Sequence, residues 1–150
     1  MNINDLFIQI IEYINDHIYE DITIDELALY FGYEKSYLMK AFKKKIGLPI
    51  KGYINNRKIM NVLKELKGND SLLKIALNNG FNSLEYFSEI FSKEVGVSPS
   101  IYRKYLNNTC SDKERDIIDT YLTKLQKFNI SLLPYRREVK ETKVLSLSFK

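Results

Sequence analysis

Three features of the 150-residue sequence predict an all-α protein built on two helix-turn-helix units. Proline and glycine are scarce, at 3 and 6, so helix breakers fall at isolated punctuation points. Between those points, apolar residues recur at three- and four-residue spacing. Finally, a pattern of alanine, glycine and aromatic positions at residues 28–53 returns at residues 76–102.

Seven helices and an extension follow in order. The first is expected over about residues 4–17, where Leu6, Phe7, Ile10, Ile11 and Ile14 share a face. In "TIDE", Thr23 is placed to cap the second, with Glu26 completing a capping box, and Gly32 suits the left-handed residue past its end. The third spans about 35–46, with Tyr37, Leu38, Ala41 and Phe42 inward, and Gly47 stops it. Pro49 opens a long fourth helix that ends near Lys67, before Gly68-Asn69-Asp70. Ser71 caps a short fifth to Asn79, Asn82 or Ser83 caps a sixth to Val95, and Ser98-Pro99 opens a seventh to Tyr105. Residues 107–116, "NNTCSDKERD", read as a polar linker. Helical spacing resumes at Ile117, Ile118, Tyr121, Leu122, Leu125 and Phe128, and the tail "KVLSLSF" alternates as a strand does.

Composition excludes several classes. With 45% apolar residues, 8 Phe and 11 Tyr, the chain builds real cores, which excludes global disorder. A single cysteine, Cys110, excludes an internal disulfide framework and fits a reducing compartment. No run approaches the roughly 18 apolar residues of a membrane span. The N-terminus lacks the basic start of a secretory signal, so a cytoplasmic location is expected. The net charge of +4 conceals a division. Residues 1–34 hold 8 acids and no Lys or Arg, whereas residues 35–67 hold 10 basic residues and one acid, Glu65. Adjacent blocks of opposite sign predict one basic face on the folded unit.

The repeat carries the strongest signal. Ala28-x-x-x-Gly32-Tyr33 matches Ala76-x-x-x-Gly80-Phe81, and Tyr37-Leu38-x-x-x-Phe42-x-x-x-x-Gly47 matches Tyr86-Phe87-x-x-x-Phe91-x-x-x-x-Gly96. Six residues past each closing glycine stands a tyrosine, Tyr53 or Tyr102. Each copy has the parts of a helix-turn-helix: a small residue where helices approach, a glycine turn, and two apolar anchors for the next helix. A generic duplicated helical hairpin has the same parts. A DNA-binding unit must in addition leave the polar side of its second helix free for the major groove. In the first copy that side carries Ser36, Met39, Lys40 and Lys43.

Residues 1–106 resemble the DNA-binding domain of AraC/XylS-type transcription regulators. The match lies in "ITIDELALYFGYEKSYLMKAFKKKIGLPIKGYI" and "SLLKIALNNGFNSLEYFSEIFSKEVGVSPSIYRK". The resemblance implies a seven-helix fold, with helix-turn-helix units at about 23–47 and 71–96 joined by a linker helix at 49–67. It implies a sequence-specific regulator with double-stranded DNA and RNA polymerase as partners, and no effector-binding role for residues 1–106. Position by position, Ser36, Met39 and Lys40 correspond to base contacts in the first unit, with Lys35, Lys43 and Lys44 near phosphates. In the second unit Leu84, Glu85, Ser88 and Glu89 correspond to base contacts and Lys93 to a phosphate contact. Glu89 stands where the family often has a basic or neutral polar group, Lys58 where it usually has Arg, and Val62 where it usually has Ala.

Other constellations are weaker. No nucleophile–histidine arrangement, metal-ligand cluster or glycine-rich phosphate loop appears, so neither enzymatic activity nor a cofactor is expected. His17 reads as a cap or surface residue, and Arg103 as a partner of an acid or a phosphate. The alternative function is a helical adaptor that binds an acidic protein partner through the basic face. Residues 117–150 read either as the start of an effector-sensing domain or as an extension that docks on the domain or pairs across a dimer. The abrupt strand pattern at their end favours the former.

Overall fold

A computed structural model describes residues 3–131. Within them the chain forms eight helices and no strand: α1 (Ile3–Asp16), α2 (Ile24–Phe31), α3 (Lys35–Ile46), α4 (Ile50–Glu65), α5 (Leu72–Asn78), α6 (Leu84–Val95), α7 (Pro99–Leu106) and α8 (Asp112–Ser131). The strand-patterned tail lies outside the described residues.

Side-chain caps set most boundaries. Thr23, Ser71, Ser83 and Ser98 each hold extended backbone and accept from the N–H three residues on, at 3.1 to 3.3 Å. Ser83 therefore caps α6, while the Asn82 side chain donates across the units to Asp21 Oδ2 at 3.0 Å. Pro49 stands just ahead of α4 in extended backbone, and the helix ends at Glu65. Its 16 residues are fewer than the span from 49 to 67 suggested, and give a rod of about 24 Å. The start of α8 also departs from expectation, because Asp112 falls inside the segment read as linker. Ser111 Oγ accepts from Glu114 N at 3.1 Å, and Glu114 Oε1 accepts from Ser111 N at 2.9 Å, a reciprocal capping box. That backbone hydrogen bond holds the Glu114 carboxyl below its usual range.

Two apolar cores meet on α4. One gathers Phe7, Ile10 and Ile14 of α1, Leu27 of α2, Leu38 and Phe42 of α3, and Ile50, Tyr53 and Ile54 of α4. The other takes Ile59, Met60, Val62 and Leu63 of α4 with Ile75, Phe87, Phe91, Tyr102, Ile118 and Leu125. Leu38 and Phe42, and their repeat partners Phe87 and Phe91, are all fully buried. Each such side chain contributes roughly 1.5–3 kcal/mol. Tyr37, expected inward, is instead 46% exposed. Its ring stacks on Tyr33 at 5.5 Å, because Leu38 and Phe42 already fill the buried stripe of α3.

The cores are joined at a polar seam. Lys58 is buried on α4, and its Nζ donates to the carbonyls of Ile18, Glu20 and Asn79 at 2.6, 2.5 and 2.9 Å. It thus ties the α1–α2 connection to the end of α5. Burial lowers the Lys58 pKa to about 8, against the pull of Asp21 and Glu20. The Arg103 guanidinium donates to the carbonyls of Leu66, Gly68 and Asp70. It therefore secures the α4–α5 turn, a role that neither sequence reading of it gave.

Candidate nucleic-acid interface

Because Leu38 and Phe42 lock α3 inward, its other side is set in solvent. Lys35, Ser36, Met39, Lys40, Lys43 and Lys44 are all exposed. Ser36 Oγ donates to Glu34 Oε1 at 2.7 Å. Lys35 Nζ lies 3.2 Å from Asp25 Oδ1, with both side chains more than half in water. A pair so solvated is worth at most about 1 kcal/mol, so Lys35 is easily transferred to another anion. Lys43, Lys44 and Lys45 form the last turn of α3, where cations meet the negative end of the helix dipole.

The second unit keeps the frame with a different surface. On α6, Glu85, Glu89 and Lys93 are exposed and Ser88 is half-buried. Leu84, the first residue of the helix, is also half-buried and packs against the second core. α6 is fastened to α4 by polar contacts that the repeat did not reveal. Asn55 Nδ2 donates to the Tyr86 hydroxyl at 3.3 Å, and Lys51 Nζ lies 5.5 Å from the centre of the Tyr86 ring. The Glu94 carboxyl of α6 is pushed up by burial and drawn back by the neighbouring Asn56 of α4 and by Lys93.

The two units open onto one cleft of about 490 Å³ above α4. Lys35 from the first turn of α3 and Tyr86 from the first turn of α6 both line it, with Lys51, Asn55 and Lys58 of α4. Asp21 and Asp25 balance part of that charge. Lys51, Asn55 and Tyr86 were missed from sequence because the signal lies between elements far apart in the chain. The half-buried His17 stacks on Tyr13 at 4.0 Å, and Cys110 is partly exposed. Among the described residues no His/Cys/Asp/Glu group has the makings of a metal site, and no helix is long and apolar enough to cross a membrane.

Residues 23–105, more than half of the chain, match the family model described as a helix-turn-helix domain. The chain belongs to the AraC-type helix-turn-helix family of transcription regulators. The HTH-type transcriptional activator AarP of Providencia stuartii is 34% identical to this AraC-type chain over 96 residues, 63% of this chain and 71% of that protein. An HTH-type transcriptional regulator of Staphylococcus aureus is 32% identical over 96 residues, and the match spans only 13% of its length. Among solved structures, the C-terminal domain of AraT, a response regulator from Geobacillus stearothermophilus, superposes with a TM-score of 0.62 at 25% identity, covering 70% of this chain and 86% of that one. The C-terminal domain of the two-component response regulator yesN from Fusobacterium nucleatum gives 0.61 at 25% identity, covering 63% and 94%.

Proposed function

We propose that this AraC-type chain binds double-stranded DNA sequence-specifically, with α3 and α6 in successive major grooves. The observation that carries this reading is the shared cleft: the first turns of both helices border it, and α4 holds them on one rod. Major grooves recur on one face of B-DNA about every 34 Å. A rod of about 24 Å that carries both recognition helices is of the order of that repeat.

In this arrangement Ser36, Met39 and Lys40 face base edges, and Lys40 is suited to the guanine acceptors O6 and N7. Lys43 and Lys44 meet phosphates, joined by Lys35 once it leaves Asp25. On α6, Glu85 and Glu89 accept from cytosine N4, and Ser88 is adaptable. Leu84, half-turned into the core, offers at most an apolar edge to a thymine methyl. Lys93 is the phosphate contact of that unit. The two carboxylates of α6 repel phosphates, so α3 supplies most of the affinity. Contact with RNA polymerase belongs to the same reading.

Salt dependence tests it. Four lysines that neutralise four phosphates give a log–log slope of about −3.6, a loss on the order of 100-fold between 50 and 200 mM salt. A flat response in a band-shift titration, on every duplex tried, would remove the DNA reading and favour a protein partner.

A further inference from the structure

Helix α8 touches both cores. Ile118 and Leu125 are buried in the second, whereas Phe128 packs against the first. The helix also rests on α6: a Cβ added at Gly96 would lie 2.6 Å from the Tyr121 ring. On α7 the Tyr105 hydroxyl donates to Asp119 Oδ1 at 2.8 Å. Between these grips, Asn129 Oδ1 accepts from Arg57 Nη1, and Asn129 Nδ2 lies 3.3 Å from Met60 Sδ.

Arg57 belongs to the seam where the two cores meet on α4. Asn56, Arg57 and Lys58 occupy it and are only 3%, 1% and 3% exposed. Two of them reach other elements by hydrogen bonds: Arg57 to α8, and Lys58 to α5 and the α1–α2 connection. Apolar contacts are non-directional and permit small slips between packed units. Buried hydrogen bonds have a preferred geometry and resist such slips. The seam is therefore where the mutual angle of the two units is decided.

Resting on the two-groove reading above, we infer that α8 is a brace that fixes the mutual orientation of α3 and α6, with Phe128 and Asn129 as positioning residues. Neither side chain is needed to build a recognition helix. Phe128 supplies the grip on the first core, and Asn129 the polar anchor at the seam. Without them each unit keeps its own core and its own groove contacts, but the spacing between the two loses definition. A loosely held pair of units binds one half-site as before and gains less from the second.

The experiment uses the full chain as wild type, Phe128→Ala and Asn129→Ala. Each is titrated on three duplexes: one with both half-sites, one with the α6 half-site scrambled, and one with a base pair inserted between half-sites. Wild type should bind the intact duplex best and lose about tenfold on insertion, the order of an ordinary coupling between sites. The variants should lose about tenfold on the intact duplex, stay within about twofold of wild type on the scrambled one, and tolerate insertion better. Equal losses on all three duplexes, or wild-type behaviour throughout, would overturn the brace. If wild type itself ignores both the second half-site and the insertion, the two-groove reading falls, and the brace with it. Should Asn129→Ala fail to fold, Phe128→Ala, at a half-buried site, still decides between these outcomes.

Discussion

Alanine at Gly80 is expected to destabilise the protein by about 3–5 kcal/mol, whereas alanine at Gly32 should cost only about 1–2 kcal/mol. The two glycines are equivalent in the repeat and adopt nearly the same left-handed backbone, with φ of +79° and +73°. An alanine pays the same conformational penalty at either, roughly 1–2 kcal/mol. Their surroundings differ. Nothing lies within 4 Å of a Cβ built at Gly32, while one at Gly80 would fall 2.5 Å from the Glu20 carbonyl oxygen and also strike Lys58 Nζ. That Cβ would push apart the contact through which Lys58 ties the first unit to the second. Urea unfolding of the two variants, compared at constant slope, reads the difference. Equal losses would mean that the Lys58 tie is not tightly packed against Gly80.

The second large effect falls on DNA. Replacing Lys40 with alanine is expected to cost about 1–3 kcal/mol on the preferred duplex and to relax discrimination at a single base pair. Replacing Lys44 should weaken binding to all duplexes alike and flatten the salt slope by about 0.9. Both side chains are exposed on α3, so neither change should disturb the core. What separates them is position. Lys40 lies with Met39 in the middle of the helix, one turn on from Ser36, and Lys44 lies in the terminal turn. Binding constants on the preferred duplex, on single-base variants of it and on unrelated DNA distinguish the two roles. Reversed outcomes would mean that α3 enters the groove the other way round.

How much of this was legible in the sequence varies from residue to residue. Leu38, Phe42, Phe87 and Phe91 were readable as core because helical spacing and the repeat marked them together, and all four are fully buried. Thr23, Ser71, Ser83 and Ser98 were readable as caps because a cap acts over three residues of local chain. Local signal also existed for α8, in Ser111-x-x-Glu114, but the polar run around it reads equally well as linker. Tyr37 had the right spacing for burial and is exposed, because helical periodicity places a residue near the edge of an apolar stripe without saying which side of that edge it takes. Least legible were Arg57, Lys58 and Asn129. Charged and amide side chains are normally at the surface. These are buried because their partners come from elements 21 to 72 residues away, a pairing that no local pattern encodes. Among the candidate contacts, the exposure of Lys40, Lys43 and Lys44 follows directly from the burial of their neighbours. Leu84 and Ser88 are partly withdrawn, Leu84 by packing against the second core, which the repeat alone did not reveal.

Hydroxyl-radical and methylation footprinting on a duplex selected from a random pool tests bipartite recognition most directly. Two major-groove patches protected on one face, about one helical turn or 34 Å apart, are the expected result. The patch assigned to α3 should weaken in Lys40→Ala and the other should persist. A single protected groove, or two patches on opposite faces of the duplex, would contradict it.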